Sequence, residues 1–136
     1  MSELEEFINK MKEKYGDRVI TKASSFSEEE MLQVLEPLKE VYTLYDGVEF
    51  PFGYIDSMKS AVELSNTAEP FKSEGWFCFG FDGYFSFWLC KYDSDEDGLW
   101  FTPWDHDLND EIECAYASLV EFLTDMEEEY AENNGI

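Results

Sequence analysis

Residues 76–92 read WFCFGFDGYFSFWLCKY. Two apolar, aromatic-rich runs flank Asp82-Gly83, a dipeptide that favours a two-residue hairpin turn because glycine takes a positive φ without steric cost. The reading is therefore a pair of antiparallel strands, 76–81 and 84–92, with the turn at 82–83. Side chains alternate across a strand. One face then carries Trp76, Cys78, Phe85, Phe87 and Leu89, and the other Phe77, Phe79, Phe81, Tyr84, Trp88 and Cys90. Cys78 and Cys90 point apart and cannot bridge. Both faces are apolar, so both are expected to be covered at least in part. Residues 99–104, LWFTPW, supply a third strand after the acidic segment 93–98, which makes a meander.

Working outward, helical signals surround this sheet. Ser2 with Glu5, Ser27 with Glu30 and Ser118 with Glu121 each have capping-box spacing. Leu4, Phe7, Ile8, Met11 and Tyr15 recur on one helical face, and Gly16 closes that helix. Pro37 cannot sit in a helix interior but can begin one. The prediction is two helices meeting at Glu36-Pro37, the second running through Leu38, Val41, Tyr42 and Tyr45 and ending at Asp46-Gly47. The segment from Val19 to Lys22 is extended. So are residues 48–56, with Pro51 and Gly53 fixing a turn. Residues 57–65 form a short helix and 66–75 a loop. The last helix buries Leu119, Phe122, Leu123, Met126 and Tyr130. Its last turn is rich in glutamate, which opposes the helix dipole, so residues 131–136 are expected to fray.

The chain has 136 residues, one domain's worth, with 44% hydrophobic content and a formal net charge of −23. The charge is uneven. Residues 1–91 hold 17 acidic and all 9 basic residues; residues 92–136 hold 15 acidic residues and no lysine or arginine. A field of that sign repels nucleic acid and anionic membrane and suits a basic protein or a cation. Three cysteines without close spacing give neither a disulfide framework nor a zinc site. The N-terminal stretch is charged and amphipathic, unlike a signal peptide, and no run approaches the roughly 18–20 apolar residues of a membrane span. A cytoplasmic location is the expectation.

Asp93, Asp95, Asp97 and Gly98 match positions 1, 3, 5 and 6 of a calcium loop of the EF-hand type. Position 12 falls on Trp104, which supplies no carboxylate, and the flanks are strand-like. The EF-hand reading fails. A looser calcium site using Asp93, Asp95, Asp97 and Asp105 stays open, beside the reading of an ordinary turn rich in Asp and Gly. For catalysis, His106 is the chain's one histidine, set between Asp105 and Asp107, and no partner nucleophile accompanies it. There is no nucleophile elbow, zinc-protease helix or glycine-rich phosphate loop. Cys78, Cys90 and Cys114 read as core residues. No enzyme activity and no cofactor or metal are expected.

The order of motifs resembles the SUKH superfamily, which takes in bacterial immunity proteins and relatives of a fungal cell-wall synthesis regulator. A helix runs into Asp46-Gly47, and a strand runs into a hairpin marked by Gly80, Asp82 and Gly83. A terminal helix carries Ser118, Leu119, Phe122 and Leu123, similar to that family's closing signature. The chain departs from the family pattern at Glu36-Pro37, where Leu-Pro is usual. The resemblance implies an α+β fold, with helices packed around a central antiparallel β-sheet, in a single domain over residues 1–136. It further implies a non-enzymatic role: an immunity protein that binds and neutralises a cognate toxin, often a nuclease and therefore basic.

The charge reading agrees with such a partner, because an acidic inhibitor is steered to a basic surface. The expected binding face comprises Asp93, Asp95, Glu96, Asp97, Asp105, Asp107 and Asp110, with Trp100 and Trp104 as aromatic anchors. A monomer is expected, with no nucleic-acid or membrane partner. The alternative from another class is a regulatory or scaffolding module with a cellular protein partner.

Overall fold

The computed structural model describes residues 2–69, 71–83, 86–93, 98–104 and 115–135, with backbone alone at 37, 92–93 and 98–99. Helix α1 (Glu3–Tyr15) starts where the Ser2 hydroxyl accepts the Glu5 N–H at 3.2 Å. Glutamates in its first turn and lysines in its last complement the dipole. Gly16, at φ 59°, lets the chain leave the helix for β1 (Ile20–Ala23). A single turn, α2 (Glu28–Met31), has the full reciprocal box between Ser27 and Glu30. Helix α3 (Glu36–Leu44) begins with Pro37 in its first turn, as the missing N–H allows.

The chain then enters β2 (Tyr45–Phe50) directly. Asp46-Gly47 therefore does not end the helix, contrary to the expectation. The Asp46 carboxylate is used elsewhere: its Oδ1 accepts the Met58 N–H at 2.9 Å, at the start of α4 (Met58–Thr67). Between them β3 (Gly53–Ile55) returns from β2 through Pro51-Phe52, with Phe50 opposite Gly53. The expected loop at 66–75 holds the end of α4 and one more turn, α5 (Phe71–Glu74). Strands β4 (Phe77–Phe81), β5 (Phe87–Asp93) and β6 (Gly98–Trp104) complete the sheet, and α6 (Leu119–Asn133) closes the described chain.

All six strands are antiparallel to their neighbours in the order β1-β2-β3-β4-β5-β6. The expected three-strand meander is thus the second half of a longer one. With the helices packed around it, the protein is a single α+β domain. Two details differ from the sequence reading. Phe81 pairs with Phe87, so the β4–β5 connection spans 82–86, closed by Asp82 N–H to Ser86 O at 3.0 Å. Gly83 does take positive φ (88°), but not in a two-residue turn. The register also shifts between Cys78, opposite Leu89, and Gly80, opposite Trp88. This bulge turns Phe81 onto the face of Phe87, their rings 5.0 Å apart, instead of the face of Trp88.

The main core lies under α1, α3 and α6. It contains Leu4, Ile8, Leu38, Val41, Tyr42, Val48, Ile55, Phe79, Trp88, Phe101 and Phe122. A second cluster on the opposite sheet face joins Trp76, Cys78, Leu89 and Trp104 to Phe71 of α5, with Leu64 and Ala68 from the end of α4 packed against it. Cys78 and Cys90 fall in different clusters, and both are free thiols, as the alternation requires. Helix α6 continues to Asn133, across the first three residues of the segment where fraying is expected. Ala131 is buried, and Asn134 donates both its backbone N–H and its side-chain amide to Tyr130 O.

Candidate partner-binding surface

The sequence placed the binding face on two acidic segments with two tryptophans. Strand β6 connects those segments. At one end Gly98 pairs with Asp93; at the other Trp104 pairs with Phe87. Seven extended residues separate these ends by about 20 Å. Asp95, Glu96 and Asp97 precede one end, Asp105, Asp107 and Asp110 follow the other, and all six lie outside the described residues, as does the Asp93 side chain. His106 and Cys114 lie outside them too, and so does the looser calcium site through Asp95, Asp97 and Asp105. No group of three or more His, Cys, Asp or Glu among the described residues is placed to hold a metal ion.

Trp104 is not a surface anchor. It is 5% exposed and packs edge-on against Phe71 at 5.7 Å and near Phe87 at 6.1 Å. The reason is the second apolar sheet face, which α5 covers at this point. Trp100 is half-buried and stands opposite Lys91, whose ammonium lies 5.4 Å from the Trp76 ring centre. Of the two expected anchors, Trp100 alone retains access to solvent.

The described acidity after Lys91 is on α6. Glu121, Glu128, Glu129 and Glu132 are exposed on it. Asp125 accepts the Tyr116 hydroxyl, and that hydrogen bond, with burial, pushes the Tyr116 pKa up to about 12. Glu127 is different. It is buried, and it accepts hydrogen bonds from Lys14 Nζ at 2.6 Å and Tyr15 Oη at 2.7 Å. Burial pushes its carboxyl upward, but the two donors and the lysine charge prevail and hold it below the usual carboxylate range. Composition alone hid this residue among its neighbours. The helical period did not: Glu127 lies four residues after Leu123 and four before Ala131, on the buried stripe.

A further surface was not anticipated from the sequence. Pairing across the sheet sets Ile20, Glu49, Tyr54, Phe81, Phe87 and Trp104 in one row. The row grades from open to closed. Ile20 is 54% exposed, Glu49 is exposed, Tyr54, Phe81 and Phe87 are half-buried, and Trp104 is core. Helices α4 and α5 cover the β4–β6 end of this face and leave the β1–β3 end open. The signal was present in the sequence as Ile20 and Tyr54, but only the strand register puts them side by side.

No helix among the described residues is long and apolar enough to cross a membrane. Compared with known proteins, the chain matches no family model, no curated protein and no solved structure.

Proposed function

We propose that this chain is an acidic, monomeric, cytoplasmic immunity protein of the SUKH kind, which neutralises a basic, nuclease-type toxin domain by binding it rather than by catalysis. The observation that carries the reading is the charge asymmetry: 15 acidic residues and no lysine or arginine in residues 92–136. In the folded chain part of that surplus is displayed on the exposed side of α6, where Glu121, Glu128, Glu129 and Glu132 have no cation within ion-pair distance among the described residues. An unneutralised field accelerates encounter with a basic partner and acts before contact. A nuclease surface is basic because it binds phosphate, so an acidic inhibitor competes for the same surface. The α+β fold and the order of the later motifs, from Gly80, Asp82 and Gly83 to Phe122-Leu123, support the same reading.

The test is to identify the open reading frame adjacent to this chain's own and, where it encodes a toxin with a basic C-terminal domain, to co-express the two; an adjacent frame of another kind counts against the proposal. Growth should be rescued, and the purified pair should associate faster at low salt than at high salt. The double variant Asp107→Lys/Asp110→Lys should slow association and flatten its salt dependence. Absence of rescue together with absence of binding would sink the proposal.

A further inference from the structure

The open end of the cross-sheet row has the composition of a binding hot spot. Ile20 and Tyr54 flank Glu49 directly across the strands, and Phe81 adjoins Tyr54, their rings 6.3 Å apart edge to face. Glu49 and Tyr54 line two shallow hollows, of about 360 and 300 Å³; Arg18 also lines the first and Lys22 the second. Around them the other carboxylates are engaged. Asp46 and Asp56 accept backbone N–H groups at the start of α4. Arg18 lines the larger hollow but is engaged by α6, donating to the Tyr130 hydroxyl at 2.7 Å with its guanidinium 5.8 Å from that ring centre. Of the carboxylates lining the hollows, Glu49 alone forms no side-chain hydrogen bond or ion pair among the described residues; the exposed Lys22 forms none either. A carboxylate in an apolar row, with an aromatic ring beside it, matches a guanidinium: the carboxylate accepts two parallel N–H bonds and the ring takes the planar cation on its face.

We infer that the open face of β1–β3 docks an arginine-bearing surface of a protein partner. One guanidinium is held between Glu49 and Tyr54, and Ile20 and Phe81 pack against the partner's apolar side chains. That the partner is basic rests on the function proposed above; the placement on this face rests on the row itself. A second copy of the chain is the poorer occupant, because each copy carries a net charge of −23 and brings no surplus of cations.

The test uses the intact chain, isotope-labelled for NMR, and the peptide acetyl-Val-Arg-Val-Arg-Val-amide as probe, with its lysine and citrulline counterparts. The arginine peptide should shift the amides of Ile20, Glu49, Tyr54 and Phe81 most. Its dissociation constant should rise at least fivefold in Glu49→Gln and in Ile20→Thr. The lysine peptide should bind more weakly and the citrulline peptide weakest. Both variants change exposed side chains, and matched thermal melts establish that they fold. Shifts centred elsewhere, equal affinity in Glu49→Gln, or a dimer dispersed by Ile20→Thr would each overturn the inference. With the toxin domain, Glu49→Arg should weaken binding at least tenfold. If that variant still neutralises fully, this face is not the interface, although the immunity reading survives. If the wild-type chain binds no toxin, the immunity reading fails, and the peptide titration decides the face separately.

Discussion

Gly80 has a φ that any residue can adopt, yet a single methyl group there should be costly. A Cβ there would lie 2.2 Å from the carbonyl oxygen of Tyr54 and 2.9 Å from Cε3 of Trp88. The first neighbour is backbone in the adjacent strand and cannot rotate away. The second belongs to a fully buried ring packed among Phe52, Phe79 and Phe122. Relief requires β3 and β4 to part, and their pairing is short, with only Tyr54–Phe81 and Ile55–Gly80 in register. Overpacking of this kind costs about 1–3 kcal/mol, and each strand hydrogen bond lost adds about 1 kcal/mol. Gly80→Ala should therefore destabilise by roughly 3–4 kcal/mol, which for a domain of this size lowers Tm by about 10 °C. The companion Gly83→Ala meets no atom within 4 Å but must hold φ at 88°, and should cost about 1 kcal/mol. Thermal and urea melts of both variants, followed by far-ultraviolet circular dichroism, check the ranking. The double variant Gly80→Ala/Trp88→Phe separates the two contacts, because a smaller ring relieves the aromatic clash and leaves the carbonyl clash. If Gly80→Ala melts within 2 °C of the parent, the strand register around the bulge is wrong.

Two further expectations concern buried ionisable groups. Glu127→Gln should cost about 1–2 kcal/mol at pH 7, since it weakens charge-assisted hydrogen bonds from Lys14 and Tyr15. The folded-state pKa of Glu127 is depressed, so its contribution is present above the unfolded carboxylate value and fades as pH falls through the folded one. The Tm gap between parent and variant should accordingly close in acid, and a gap of constant size from pH 7 to pH 3 would contradict the assignment. At the alkaline end, burial raises the Cys78 thiol from its ordinary 9.0 to about 12 and Cys90 well above 9.0. A raised folded pKa means stability that is full below the unfolded value and lost above it. Unfolding free energy should fall from about pH 9 upward, by up to about 1.4 kcal/mol per pH unit for each thiol. Cys78→Ala should flatten that slope in urea melts, and an unchanged slope would place the thiol in contact with solvent.

The strands with strict alternation were legible because burial enforces it: the opposite faces of Cys78 and Cys90 follow from spacing alone. The start of α3 was legible because proline leaves few options. What escaped were features set by partners distant in sequence. Asp46 looked like a helix stop because its real partner, the Met58 N–H, belongs to a different helix. The two-residue turn at Asp82-Gly83 satisfied the local rule. The bulge before it exists because Gly80 lets the Tyr54 carbonyl and the Trp88 ring approach, and no pattern within 76–92 encodes Tyr54. Fraying after Tyr130 was a sound inference from glutamates at a helix C-terminus. Burial of Ala131 and the Asn134 cap act against that repulsion. Of the expected binding residues, Trp104 was misplaced for a similar reason. A tryptophan next to an acidic segment looks like an anchor until α5 is seen to cover it.

The acidity itself resists a purely structural explanation. Of the acidic residues on α6, Glu127 alone has a cation within ion-pair distance among the described residues, and that pair ties α6 to α1. The remaining carboxylates on the helix repel one another, and those in the last turn also oppose the helix dipole with no basic residue to offset them. A chain needing charge only for solubility would lose little by mixing lysines into this region, and would gain favourable pairs spaced three or four residues apart. Residues 1–91 do mix the signs, with all 9 basic residues among 17 acidic ones. The segregation therefore carries a stability cost confined to one part of the chain. Long-range steering of a basic partner is a benefit that requires such segregation, because interspersed charges of both signs cancel one another's field at a distance, and salt already screens it over about 8 Å at physiological ionic strength. On that argument, replacing Glu128 and Glu132 with lysine should raise Tm slightly and slow capture of the basic partner proposed above, two effects of opposite sign on the two properties that the charge sets against each other.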